Sequence, residues 1–106
     1  MKLGTLIQDI PKIAVSGILD REIKGIKYDS RLVQEGDLFV AIKGFKTDGH
    51  RYIKDALNRG AVAIVLEEKE HCSDEFPWVL VENSRNTLAD LSNVFYNYPS
   101  RKFLLI

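Results

Sequence analysis

The chain has almost no cysteine: Cys72 stands alone among 106 residues, which excludes an internal disulfide and any cysteine-rich metal knuckle. Histidine is nearly as scarce. His50 and His71 lie far apart without companion cysteines, so no zinc-ligand spacing is present. There is no net charge either, because 15 Lys and Arg balance 15 Asp and Glu, and no global field draws in nucleic acid or an anionic membrane. No apolar run approaches the roughly 20 residues of a membrane span, and the first residues lack the apolar stretch of a signal peptide. A GxxxxGK[ST] phosphate loop is also missing. These absences predict a cytoplasmic protein with no nucleic-acid or membrane partner, no metal ligands and an inert thiol, in which any anion recognition is local.

What is present is enough apolar sequence for one packed domain, at 45% hydrophobic and 28% charged residues. Residues 2–8 place Leu3, Leu6 and Ile7 on one helical face, and Pro11 stops that helix. Residues 14–18 and 22–27 read as short strands. Residues 38–42 form an unbroken apolar run, the pattern of a strand covered on both faces. A helix is predicted over 49–59, with Thr47 or Asp48 as N-cap and Gly60 as C-terminal cap. Strands follow at 61–66 and 78–81, then a helix over 87–96 capped by Ser84 or Asn86 and ended by Pro99, then a strand from 102 to 106. Strands alternating with helices predict an α/β layered domain with a mixed central sheet flanked by helices. The mixed character is expected because residues 28–37 join two strands without a helix. A final apolar strand with no closing turn reads as a chain leading into a second domain.

Two stretches carry chemistry. Lys43-Gly44-Phe45-Lys46-Thr47 runs from an apolar strand into a helix start, where free N–H groups from Thr47 to Arg51, the helix dipole and the lysine charges could hold a phosphate. The plain alternative is an ordinary connection with solvated lysines. Tyr28-Asp29-Ser30-Arg31 closes a strand, where Arg31 could fork onto a phosphate. Its plain alternative is an Asx-turn with Arg31 in an ion pair. His50, in the first turn of a helix, reads as a hydrogen-bonding group and not a catalyst. His71 and Cys72 sit in an exposed acidic stretch without the geometry of a nucleophile and base. No residue is assigned as catalytic.

Four motifs together resemble the N-terminal domain of the Mur ligases that build peptidoglycan precursors: Tyr-Asp-Ser-Arg at 28–31, Gly-Asp-Leu-Phe-Val-Ala-Ile-Lys-Gly at 36–44, Asp-Gly-His-Arg-Tyr-Ile at 48–53 and Arg-Gly-Ala-Val-Ala at 59–63. Residues 86–100 resemble the UDP-N-acetylmuramoyl-tripeptide synthetase branch more than the branch that adds D-alanyl-D-alanine. The resemblance implies a single domain over 1–106 that holds the UDP moiety of UDP-N-acetylmuramoyl-L-alanyl-D-glutamate through Tyr28, Ser30, Phe45, Lys46 and Thr47. Some relatives carry His-Gln-Ala where this chain has Phe45-Lys46-Thr47. It further implies central ATPase and C-terminal domains outside this chain, where ATP and magnesium act, and no cofactor, ligase activity or ATPase activity on this stretch alone. The alternatives are the N-terminal domain of a D-alanyl-D-alanine-adding Mur ligase and a free-standing interaction module on the same fold.

Overall fold

A computed structural model describes residues 1–17, 19–44 and 47–97. Its centre is a five-stranded sheet of order β1-β5-β4-β3-β2. The strands are β1 (Ala14–Ser16), β2 (Gly25–Lys27), β3 (Asp37–Val40), β4 (Ala63–Leu66) and β5 (Trp78–Leu80). β2, β3, β4 and β5 run parallel, and β1 pairs antiparallel with β5. The sheet is mixed as expected, but not for the expected reason. The helix-free connection after β2 is a parallel crossover through a 3-10 turn at Ser30–Leu32, and the antiparallel pair lies at the opposite edge. Val33, buried behind that turn, gives the crossover enough apolar surface to pack without a full helix.

The apolar run at the centre behaves as its composition demands, since β3 and β4 are buried at every position. Leu38 and Val40 face a core with α1 (Leu3–Leu6) and α3 (Ser84–Tyr96), which supplies Leu91 and Phe95. Phe39 and Ala41 point the other way, into a core with Ile53 and Ala56 of α2 (Ile53–Asn58). This alternation across a pleated strand divides one apolar run between two layers.

All three α-helices among the described residues differ from expectation in their bounds, α1 covering Leu3–Leu6 where a helix over 2–8 is expected. The helix predicted over 49–59 opens as a 3-10 turn at Gly49–Tyr52 and becomes α-helical only at Ile53. Asp48 caps it, and Gly60 ends it at φ +115°, against the Glu35 backbone where a Cβ would not fit. α3 starts earlier than predicted because Asn83 is the cap, its side chain accepting from the Asn86 N–H. The predicted strand over 102–106 and the Pro99 stop lie outside the described residues.

Candidate functional site

Two Asp turns stand at the carboxyl ends of the adjacent parallel strands β2 and β3. At the first, Asp29 Oδ1 accepts from the Arg31 backbone N–H at 3.0 Å and from Arg31 Nε at 3.0 Å, while Oδ2 accepts from Arg31 Nη2 at 2.8 Å. The guanidinium and then the backbone N–H hold the Asp29 carboxyl below the usual carboxylate range. At the second, Asp48 Oδ1 accepts from the His50 backbone N–H at 3.0 Å and lies 2.7 Å from His50 Nδ1. Burial alone would raise the Asp48 carboxyl, but the His50 hydrogen bonds outweigh it and the net direction is down.

His50 is buried, and its Nε2 accepts from the backbone N–H groups of Glu67 and Glu68 at 2.9 and 3.2 Å. The lone pair therefore sits on Nε2 and the proton on Nδ1. This ring ties the end of β3 to the end of β4. Glu67 continues the chain of contacts, with Oε2 accepting from the Ser84 backbone N–H and Oγ at 2.7 and 2.8 Å at the start of α3. Asp48, His50 and Glu68 bring ligand-type atoms within 4.8 Å of one another. Both His50 nitrogens are already engaged, however, and Glu68 is held by Lys43 at 2.6 Å and by His71 at 3.1 Å. Protons and a lysine satisfy this cluster, which does not fit a resident metal ion. Lys43 in turn lowers the Glu68 carboxyl.

Backbone hydrogen bonds correct the expectation of free donors at three of the five positions from Thr47 to Arg51. The Gly49 N–H donates to the Ile42 carbonyl, the His50 N–H to Asp48 Oδ1 and the Arg51 N–H to the Asp48 carbonyl. An aspartate cap needs those donors itself, so this turn offers an incoming anion little. Gly49 is required by close approach, because a Cβ there would lie 2.6 Å from the Ile42 nitrogen. Lys43 is likewise not a solvated charge awaiting a ligand, since Glu68 engages it.

Between the two turns lies a cleft of about 750 Å³. Tyr28, Ser30 and Thr47 all line it, so three of the five residues expected to bind substrate converge from two segments, the turn after β2 and the loop before Asp48. Phe45 and Lys46 lie outside the described residues. Tyr28 is 65% exposed, an aromatic face standing in water. Ser30 is buried, and its hydroxyl has no hydrogen-bond partner among the described residues, because Asp29 performs the capping of this turn. Phe39 and Leu88 form apolar wall from the two sides of the sheet, with Ile42, Gly44 and Tyr52 completing the β3 side. Arg85 enters from the first turn of α3. Sequence reading missed Tyr52, Leu88 and Arg85. For Arg85 there was a usable signal: a cation in the first turn of a helix, where the dipole disfavours it.

Elsewhere the plain readings hold. Arg31 is ion-paired, His50 is a satisfied core histidine, and burial with Glu70 nearby pushes the Cys72 thiol up, away from nucleophilic character. No helix among the described residues is long and apolar enough to cross a membrane.

A polar-lipped cleft beyond the carboxyl ends of parallel strands is where open α/β sheets take their ligands. The fold and the cleft thus define an α/β domain with a cleft at the carboxyl ends of its parallel strands. The family model described as "Mur ligase family, catalytic domain" matches residues 22–96, and the chain belongs to the Mur ligase family. It is 43% identical over 109 residues to the UDP-N-acetylmuramoyl-L-alanyl-D-glutamate--2,6-diaminopimelate ligase of Clostridioides difficile, covering 100% of this chain and 22% of that protein. The ligase of the same name from Geobacter sulfurreducens is 41% identical over 94% of this chain and 20% of its own length. Among solved structures, the UDP-N-acetylmuramoylalanyl-D-glutamyl-2,6-diaminopimelate--D-alanyl-D-alanyl ligase of Acinetobacter baumannii superposes with TM-score 0.72 at 26% identity, over 84% of this chain and 20% of that one. The MurF ligase of Thermotoga maritima, solved in complex with ADP, gives TM-score 0.59 at 39% identity, over 73% of this chain and 17% of that one. The chain spans about a fifth of the length of the curated relatives it matches.

Proposed function

We propose that the cleft holds the UDP moiety of UDP-N-acetylmuramoyl-L-alanyl-D-glutamate, and that this chain is the substrate-holding N-terminal domain of an ATP-dependent tripeptide synthetase of peptidoglycan precursor synthesis. One observation carries the reading: the turn bearing Tyr28 and Ser30 and the separate loop bearing Thr47 line a single cleft, with the Ser30 hydroxyl free of any protein partner among the described residues. An exposed tyrosine suits a base, and free hydroxyls suit a ribose or a phosphate. The diaminopimelate-adding names of the relatives 41% and 43% identical favour the tripeptide branch over the D-alanyl-D-alanine branch.

In the whole enzyme, gripping a nucleotide far from the reacting carboxylate would position that carboxylate for activation and attack, converting remote binding energy into orientation. ATP and magnesium would act on central and C-terminal domains of the same polypeptide. This stretch contains no phosphate loop, and the compact group of metal-type ligands found among the described residues is internally satisfied. The purified chain is therefore expected to bind substrate without turning over ATP.

Calorimetric titration of the chain with UDP-N-acetylmuramoyl-dipeptide, UDP and the sugar-peptide lacking the nucleotide tests the reading. Saturable heat with the first two and none with the third is expected. No heat with any of them would leave an interaction module on a borrowed fold.

A further inference from the structure

Among the described residues, the charged groups lining the cleft are Asp29, Arg31 and Arg85. Asp29 and Arg31 cancel each other through a two-pronged ion pair whose carboxylate oxygens both accept from the guanidinium. Arg85 has no ion-pair or hydrogen-bond partner among the described residues, so the described lining keeps one uncompensated positive charge. The charge also sits at the wrong end of its helix. Arg85 follows the cap Asn83 and the first residue Ser84 of α3, where the dipole is positive and a cation is disfavoured. An anion brought against that end would reverse the sign of the interaction and meet a planar five-donor fork.

Of the first N–H groups of that helix, only that of Arg85 has no protein acceptor among the described residues. The Ser84 N–H is taken by Glu67, the Asn86 N–H by the Asn83 side chain and the Thr87 N–H by the Asn83 carbonyl. The 3-10 turn across the cleft is closed to an anion too, because the Gly49, His50 and Arg51 N–H groups are used internally and Asp48 stands among them. Among the described lining, the Arg85 side chain is the strong donor left over.

We infer that Arg85 is the diphosphate contact of this cleft, so that the nucleotide lies with its phosphates toward the start of α3 and its base toward Tyr28. This deepens the proposed function and rests on it. The guanidinium would bind through paired N–H donors, and its aliphatic stem would lie over Leu88, the neighbouring apolar wall.

The test compares UDP with uridine on the unaltered chain and on Arg85→Ala and Arg85→Lys, at low and moderate salt. Arg85→Ala should weaken UDP about tenfold at low salt and leave uridine unchanged. Arg85→Lys should recover part of the loss, since it restores the charge without the fork. The loss should shrink as salt rises. Arg85 is exposed, so an unchanged melting midpoint is expected for both variants. UDP affinity within twofold of the unaltered chain in Arg85→Ala overturns the inference while leaving the UDP reading intact. Equal losses for UDP and uridine also overturn it, because the residue would then shape the pocket and not meet the phosphates. An unaltered chain that binds neither ligand overturns both readings together.

Discussion

The two Asp turns are built alike and end differently. Asp29-Ser30-Arg31 and Asp48-Gly49-His50 each follow a parallel strand and each begin a 3-10 turn from an extended aspartate, with φ −118° and ψ 116° in one and φ −111° and ψ 119° in the other. In both, the carboxylate accepts from the backbone N–H two residues on and from that residue's side chain. Yet the Arg31 side chain is 80% exposed and the His50 side chain 0%. His50 spends its second nitrogen on the backbone of the next strand, whereas Arg31 has nothing behind it but the cleft. Identical local grammar thus serves the fold on one side and frames a binding site on the other. Burial decides which.

The sharpest way to break that contrast is to remove the buried member. His50→Ala leaves a cavity, strands the Glu67 and Glu68 N–H groups and releases Asp48 from its imidazole partner, while only a core position offers no water in exchange. We expect a loss of about 3 kcal/mol in stability, seen as a fall of roughly 12 to 24 °C in melting midpoint for a domain of this size. Denaturant unfolding of His50→Ala beside Arg31→Ala decides the matter. Equal effects from the two would mean that burial does not separate the turns.

How far all this was readable from sequence follows the same line between local and distant contacts. The doubly covered strand at β3, the Asp48 cap, the Gly60 stop and the Arg31 pairing were legible, because each depends on residues within a few positions of one another. The parallel pairing of β2 with β3 was not. Its crossover carries no helical period, and register depends on packing that a one-dimensional pattern does not contain. Among the donors misread as free, the Gly49 N–H follows the same line, because its acceptor, the Ile42 carbonyl, comes close only once Gly49 folds back onto the strand end, whereas the His50 and Arg51 N–H groups bond to Asp48 nearby and were implied by its role as cap. Convergence of Tyr28, Ser30 and Thr47 was anticipated through family motifs, not through periodicity, and Arg85 joins them from the far end of the chain.

A smaller effect should separate the two turns in binding where His50 separates them in folding. Ser30 and Gly49 hold equivalent places after their aspartates, but Ser30 directs a buried side chain to the cleft lining and takes no part in the cap. Ser30→Ala is expected to cost about 0.5 to 1.5 kcal/mol of affinity for the UDP-sugar, one neutral hydrogen bond, with little change in melting midpoint. Titration calorimetry and a thermal melt on the same preparation measure both. A variant that melts markedly earlier yet binds as tightly would place Ser30 with the structural turn and erase the difference.

The finest test concerns the carboxylates themselves. Both Asp29 and Asp48 are held below the ordinary aspartate range, so each contributes stability that is present above the unfolded value near 3.9 and is lost as pH falls through the lower folded value. The causes differ in kind. For Asp29 the leading one is the exposed Arg31 side chain, followed by the Arg31 backbone N–H, whereas Asp48 is pulled down against its own burial by a backbone N–H and an imidazole that solvent does not reach. In Arg31→Ala, the Asp29 carboxyl should therefore titrate higher than in the unaltered chain, yet stay below the ordinary range because the backbone donor remains. Asp48 should not move. High salt should raise the Asp29 titration in the unaltered chain more than that of Asp48, since the Arg31 guanidinium stands in solvent and the His50 ring does not. Carboxyl-carbon NMR titration of both residues reads each change directly. If Asp29 stays where it was in Arg31→Ala, the backbone of the turn alone sets its carboxyl, and the guanidinium would be free to turn into the cleft beside Arg85.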